Sequence, residues 1–291
     1  MISSAKTPLR YPGGKGRLAA LAAKLIEYNE LCDGQYVEPY AGGAGIAASL
    51  LLSEHVRGIV LNDVSYPINC FWRAVVEAPD YLCRRIRDVK VTPRTWRRQK
   101  AVLTDASNRS FEEVGFALLF LNRTNRSGII SGGMIGGRSQ KGAWRIDARF
   151  YREELIRRIA AIAEYRHRIS LFCMDAKDFL RRVVSRIEGK CCVYFDPPYY
   201  VAGRRLYLDT YGHEDHKRIA SVIQTETIHP WFATYDDHDV IRSLYAQRRQ
   251  RLFDLRYSAS VARIGREVMI FSDRMRLPRG LFAGEFGGRI T

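Results

Sequence analysis

Apolar and polar positions along the chain follow two alternating periods. Short apolar runs with strand spacing occur at Tyr36–Val37, Gly58–Asn62, Ile169–Cys173, Cys191–Phe195, Trp231–Tyr235, Leu252–Tyr257 and Glu267–Ser272. Between them, apolar residues recur every three or four positions at about Ile46–Glu54, Arg152–Tyr165, Ala176–Ile187, His213–Gln224 and Asp239–Gln247, which is the spacing of one helix face. Strand and helix patterns that alternate in this way predict an α/β fold: a mostly parallel sheet with helices on both faces.

The alternation breaks between about residues 73 and 149, and the charge distribution breaks with it. Residues 81–150 hold 15 Lys or Arg against 5 Asp or Glu, most of the excess in a chain of net charge +16. The expected organisation is therefore a split core, residues 1–72 and 150–291, carrying a basic insert at 73–149. Of the 47 cationic side chains, 38 are Arg. Arg presents a planar fork of donors that matches phosphate oxygens and the guanine edge, so nucleic acid is favoured over an anionic membrane as the polyanionic partner. No apolar run approaches the roughly 18 to 20 residues of a membrane span. Residues Met1 to Arg10 lack the layout of a secretion signal, giving a cytoplasmic expectation. The six cysteines form no CxxC pair, so reduced thiols are expected rather than a disulfide framework or a zinc ribbon, and no metal site is expected.

Candidate chemistry concentrates at strand ends. Asp196-Pro197-Pro198-Tyr199 directly follows the run Cys192–Phe195, so the carboxylate should lie at the carboxyl edge of a strand, where open α/β sheets bind ligands. The exocyclic amine of adenine or cytosine is a poor nucleophile because its lone pair is delocalised into the ring. A carboxylate together with a carbonyl of the proline pair can draw both its hydrogens out of plane, and Tyr199 can stack on a base taken out of a duplex. A plain strand-to-loop turn is the bland alternative. Upstream, Glu38-Pro39-Tyr40-Ala41-Gly42-Gly43-Ala44-Gly45 is a strand-to-helix turn whose glycines let a ligand approach the backbone, although it does not match GxGxxG. About twenty residues on, Asn62-Asp63 places an acid where ribose hydroxyls of a bound adenosine would lie. Near the start, Arg10-Tyr11-Pro12-Gly13-Gly14-Lys15 joins an aromatic, a glycine pair and a cation; a tight loop with a solvated Lys reads the same way.

Taken in order, these boxes resemble the D12 family of adenine-specific DNA N6-methyltransferases, the Dam-like enzymes, over nearly the whole chain. The resemblance implies a Rossmann-like methyltransferase fold with S-adenosylmethionine held by Tyr11, Lys15, the turn from Glu38 and Pro39 through Gly42 to Gly45, and Asp63. It also implies that Asp175 lies near the cofactor adenine, that Asp196 stands where cofactor and target adenine meet, and that double-stranded DNA is the partner. Asp196 and the Pro197 carbonyl would orient N6 for attack on the sulfonium methyl, with Pro198 shaping the loop and Tyr199 stacking on the base. Within the insert, Asn122-Arg123-Thr124-Asn125-Arg126-Ser127 resembles the family's Asn-Arg box, which opens a β-hairpin that enters DNA; the glycine-rich stretch through Arg138 would form its tip. Arg126 and Ser131 stand where GATC-methylating members carry an aromatic and an arginine, which argues against GATC as the recognition sequence.

Arg94, Arg97 and Arg98 have the look of phosphate contacts, or of a solvated basic helix face. His213-Glu214-Asp215-His216 lacks the order and spacing of a helical zinc box. Tyr235-Asp236-Asp237-His238 and Tyr257-Ser258-Ala259-Ser260 read as loops near the substrate side. Methylation of RNA adenine, a catalytically silent DNA-binding protein and a nicotinamide-dependent dehydrogenase are the competing readings. The hairpin insert, the intact Asp196–Tyr199 box and the missing GxGxxG argue against them in turn. A monomer is expected, with dimerisation on DNA left open, as are the recognition sequence and any paired restriction enzyme.

Overall fold

The computed structural model describes residues 7–10, 18–200, 211–257 and 263–281. Seven strands form one sheet: β1 (Gln35–Glu38), β2 (Gly58–Asn62), β3 (Ile169–Phe172), β4 (Cys191–Phe195), β5 (Trp231–Asp236), β6 (Arg249–Tyr257) and β7 (Arg263–Phe271), in the order β3-β2-β1-β4-β5-β7-β6. The first five strands are parallel; β7 runs antiparallel to both β5 and β6. Strand order reverses between β1 and β4, which puts a crevice at their carboxyl ends, the binding edge of an open α/β sheet.

The central strands β2, β1, β4 and β5 are buried on both faces, as parallel strands covered by helices are. Tyr36, Ile59, Leu61, Cys192, Tyr194, Phe232 and Met269 pack into one cluster with α1 (Ala19–Tyr28), α2 (Gly45–Leu52) and α3 (Tyr66–Glu77). Val37, Val60, Val193, Phe195, Ala233, Tyr235 and Val268 pack on the opposite face with Phe179, Ile219, Ile223 and Ile241 of later helices.

Between α3 and β3 the chain continues with α4 (Pro79–Asp88) and α5 (Pro93–Thr104), each opened by a proline in its first turn, where no helical N–H is lost. Thr92 caps α5 through the Thr95 N–H, and α6 (Phe111–Thr124) starts at a capping box of Ser110 and Glu113. These helices are continuous with the main body: Leu82, Ile86, Trp96, Phe116 and Phe120 belong to the same apolar cluster as the sheet. Gly115 allows the approach of α6 to α3, since a Cβ there would stand 2.7 Å from the Cys70 carbonyl oxygen. Arg152, at the start of α7 (Arg152–Glu164), donates to the Ile86 carbonyl and to the Val89 carbonyl, closing the end of α4.

The remaining helices are α8 (Ala176–Arg182), α9 (His213–Glu226) and α10 (Asp239–Leu244). In place of the hairpin expected at Asn122, the structure has the last turn of α6 followed by a loop held by one isolated antiparallel bridge, Asn125 to Met134. The physical reason is local. Leu118 to Asn125 are buried in the helix interface, and the glycine-rich stretch beyond offers few side chains with which to build a strand ladder. All six cysteines are free thiols; Cys70, Cys191 and Cys192 are buried and Cys173 is exposed. Among the described residues no helix is long and apolar enough to cross a membrane.

Candidate active site at the carboxyl edge of the sheet

The turn after β1 is backbone held by side chains from elsewhere in the chain. Gly42 and Ala44 have positive φ (45° and 42°), a conformation that costs glycine nothing and other residues something. The turn is fixed from three directions: the Gly42 N–H donates to Asp63 Oδ2 at 2.8 Å, the Trp72 indole donates to the Gly42 carbonyl at 2.9 Å, and the Thr7 hydroxyl donates to the Gly43 carbonyl. Asp63 also accepts from the Ser65 N–H at 2.9 Å. Its neighbour Asn62 is buried and staples three strand ends, donating to the Pro39 and Met174 carbonyls (both 3.0 Å) and accepting from the Met174 N–H (3.1 Å). The Asn-Asp pair thus divides its work: one residue closes the sheet edge, the other lines it.

Glu38 is 3 % exposed, and its Oε1 accepts from the Ala47 N–H at 3.0 Å, near the start of α2. Burial pushes its carboxyl up to about 8 against the pull of that N–H, and the Asp196 charge pushes the same way as burial. Two carboxyl groups from β1 and β4 therefore sense each other across the switch point. Asp175, beyond β3, is half-exposed and caps α8 through the Lys177 N–H at 2.9 Å.

On the other side of the crevice, Asp196 follows β4 and accepts from the Thr234 hydroxyl at 3.2 Å, which itself pairs with the Tyr194 hydroxyl at 2.7 Å. Pro197 is buried, Pro198 half-buried, and Tyr199 is 5 % exposed with its hydroxyl donating to Glu267 Oε1 at 2.7 Å. Tyr200 donates its backbone N–H to Asp236 Oδ1 at 2.8 Å. The Tyr200 ring lies 4.5 Å from His238 and 5.2 Å from His216, centroid to centroid. His216 is buried with neither ring nitrogen hydrogen-bonded, and burial lowers its pKa.

The motif residues between α5 and the loop after α6 divide by direction. Asn122 accepts from the Arg10 N–H (2.7 Å) and donates to the Arg10 and Gly128 carbonyls (2.7 and 2.9 Å). Arg123 is 8 % exposed, donates to the Pro8 carbonyl, and is lowered to about 9, mainly by burial. Asn125 is fully buried, accepting from the Trp96 indole (2.6 Å) and donating to the Ile129 and Ile130 carbonyls (2.8 and 3.0 Å). By contrast Arg94, Arg97, Arg98, Arg126 and Arg138 are exposed, with Ser127 half-buried at φ 56°. Trp144 is 64 % exposed, with the Arg149 guanidinium 5.3 Å from its ring centre. Tyr11 and Lys15 lie outside the described residues, as do Ser258 to Ser260.

Sequence reasoning brought the Glu38–Gly45 turn, Asp63, Asp175 and Asp196–Tyr199 to one edge of the sheet, where the structure also has them. It missed Trp72, Thr234 and Glu267. Glu267 left a trace: a lone acid opening the otherwise apolar run Val268–Phe271. Among the described residues no group of three or more His, Cys, Asp or Glu is arranged to hold a metal.

No curated protein sequence matches the chain. Among solved structures, it is similar to a presumed RNA methyltransferase of Pyrococcus horikoshii, with 9% identity, a TM-score of 0.42 and coverage of 91% of this chain and 88% of that one. It is also similar to the rRNA methyltransferase AviRa of Streptomyces viridochromogenes, with 12% identity, a TM-score of 0.37 and coverage of 94% and 90%. The family model of the D12 class N6 adenine-specific DNA methyltransferases matches residues 11–258, nearly the whole chain. With that match and the sheet-edge constellation just described, the chain belongs to the D12 class of N6 adenine-specific DNA methyltransferases, enzymes that take their methyl group from S-adenosylmethionine.

Proposed function

We propose that this enzyme methylates N6 of an adenine turned out of duplex DNA, at the crevice between the ends of β1 and β4. The observation that carries the reading is the position of Asp196 at the switch point, beside buried Glu38 and oriented by the Thr234 hydroxyl. An acceptor fixed in this way can hold an amine hydrogen and aim its lone pair, a contribution from positioning rather than strong basicity. The Pro197 carbonyl would take the second hydrogen and Tyr199 would flank the base, with Pro198 limiting the loop's freedom.

The residues of the β1 side fit S-adenosylmethionine in their chemistry. Glu38 suits a positively charged group, the glycine turn with Gly42 and Gly45 suits close backbone contact, and Asp63 and Asp175 suit ribose and adenine. Pro39 keeps the turn's entry rigid, and Tyr11 and Lys15 complete the set by family resemblance. When bound, the cofactor supplies a methyl already activated on a sulfonium, so no metal is required. On the DNA side, Arg94, Arg97, Arg98, Arg126 and Arg138 would meet the duplex directly, with Ser127 in the same loop. Asn122, Arg123 and Asn125 would serve DNA by holding the loop that presents Arg126. Transfer of labelled methyl from S-adenosylmethionine to unmethylated DNA, with structured RNA in parallel and single-molecule sequencing to locate modified adenines, tests the reading. Label on N6 of adenine within a short DNA motif is the expected result; label on RNA alone would overturn it.

A further inference from the structure

Two carboxylates on neighbouring strands hold two consecutive loop residues. Asp236 of β5 and Glu267 of β7 are direct cross-strand partners, so their side chains leave the sheet on the same face. Each anchors one tyrosine of the loop after Asp196: Glu267 accepts from the Tyr199 hydroxyl at 2.7 Å, and Asp236 accepts from the Tyr200 backbone N–H at 2.8 Å. Glu267 is completely buried in a strand whose next four residues, Val268 to Phe271, are buried and apolar. Burial of a carboxylate among such residues is costly unless hydrogen bonds compensate it, and an apolar residue would suit the strand better. The Tyr199 hydroxyl supplies one such bond, and it ties the acid to the loop rather than to its own strand.

We propose that Glu267 is a positioning residue for the target base, acting through the Tyr199 hydroxyl. The inference rests on the reading of Tyr199 as the ring that flanks the extruded adenine. A tyrosine anchored only at its backbone keeps side-chain torsional freedom, and stacking a base on it would cost that freedom at each binding event. With the Tyr200 N–H fixed by Asp236 and the far end of the Tyr199 ring fixed by Glu267, the ring is ordered before DNA arrives, which transfers the ordering cost from binding to folding. The pair joins β7, two strands beyond β4 in the sheet order, to the loop that follows the acceptor Asp196.

The test uses the full-length enzyme on plasmid DNA lacking N6-methyladenine, with kcat, KM for DNA and S-adenosylmethionine affinity measured separately. Tyr199→Phe and Glu267→Leu are each expected to raise KM for DNA on the order of tenfold, the scale of a hydrogen bond to a charged group, while cofactor affinity stays unchanged. The double variant is expected to lose clearly less than the sum of the two singles, because both changes remove the same hydrogen bond. Glu267→Gln, which keeps an acceptor oxygen, should recover most of the loss. Additive losses in the double variant, or parallel loss of cofactor binding in Glu267→Leu, would overturn the proposal. If Glu267→Leu does not fold, Tyr199→Phe still decides: an unchanged KM for DNA means the hydroxyl positions nothing. Tyr199→Ala separates the two levels. A fully active Tyr199→Ala removes the stacking reading itself, whereas an inactive Tyr199→Ala beside a normal Tyr199→Phe removes only the role of Glu267.

Discussion

The carboxyl edge of the sheet and the end of α6 both bury polar side chains, and they use them in opposite ways. At the sheet edge Glu38, Asp63, Asp196 and Asp236 come from four different strands and converge on one crevice, each steadied by a neighbour's N–H or hydroxyl. At the end of α6, Asn122, Arg123 and Asn125 come from one stretch of chain and diverge into the protein, where they meet backbone carbonyls and an indole. Convergence of acids onto an open edge costs stability through mutual repulsion and desolvation, and suits a ligand that brings cationic or donor groups. Divergence onto backbone adds stability and, on the proposed reading, leaves contact with DNA to the exposed arginines around it.

The contrast is sharpest under substitution. Asp196→Ala should reduce methyl transfer by about a thousandfold or more while leaving the melting temperature near that of the parent, since it removes an oriented acceptor from the reacting group. Retained turnover would break the comparison at its centre. Asn125→Ala should do the reverse: it leaves the Trp96 indole and two carbonyls without partners, at a cost of about 2 to 4 kcal/mol of stability. The remaining folded fraction should bind S-adenosylmethionine normally. A normal melting temperature in Asn125→Ala, with DNA binding lost, would instead make that side chain a DNA contact.

That inward turn was not legible in the sequence, because an Asn at the end of an apolar helix reads the same whether it faces DNA or its own backbone. The sheet edge was legible for a physical reason. Strand period, glycine turn and strand-end acid are consecutive along the chain, so Glu38–Gly45, Asn62-Asp63 and Asp196–Tyr199 each carry their own structural context. Glu267 could not be placed in this way, since its partner Tyr199 lies 68 residues away and only the sheet register brings them together. The hairpin expected after Asn122 is reduced to one bridge for the complementary reason: a motif that is local in sequence was assigned a strand ladder that its glycines do not support.

Protonation offers a smaller effect at the convergent site. With its carboxyl raised to about 8, Glu38 is protonated at neutral pH in the free protein. A folded-state value above the unfolded one means that Glu38 favours folding fully at acid pH. That contribution is lost as pH rises through 8. If the carboxylate form meets a cationic group of S-adenosylmethionine, binding must release this proton, and affinity should rise with pH by at most about tenfold per unit up to 8 and level off above it. Calorimetry in buffers of different ionisation enthalpy would detect close to one proton released, and Glu38→Gln should abolish both the release and the slope. A slope that survives in Glu38→Gln would assign the proton to another group.

The smallest expected effect lies on the exposed side of the insert. Arg97 and Arg98 stand on α5 beside the buried Trp96, whose indole is bonded to Asn125, so the same helix that helps lock the inward asparagine presents two outward cations. If these touch phosphates, replacing both with Gln should weaken DNA binding only several-fold at low salt and reduce the slope of log affinity against log salt by about 2. The loss should be equal for all sequences, because phosphate contacts carry no base information. A change in which adenines are methylated, with the salt slope intact, would make α5 part of sequence reading. The division of labour between an inward-facing support and an outward-facing cationic surface would then fail at this helix, since one face would be doing both.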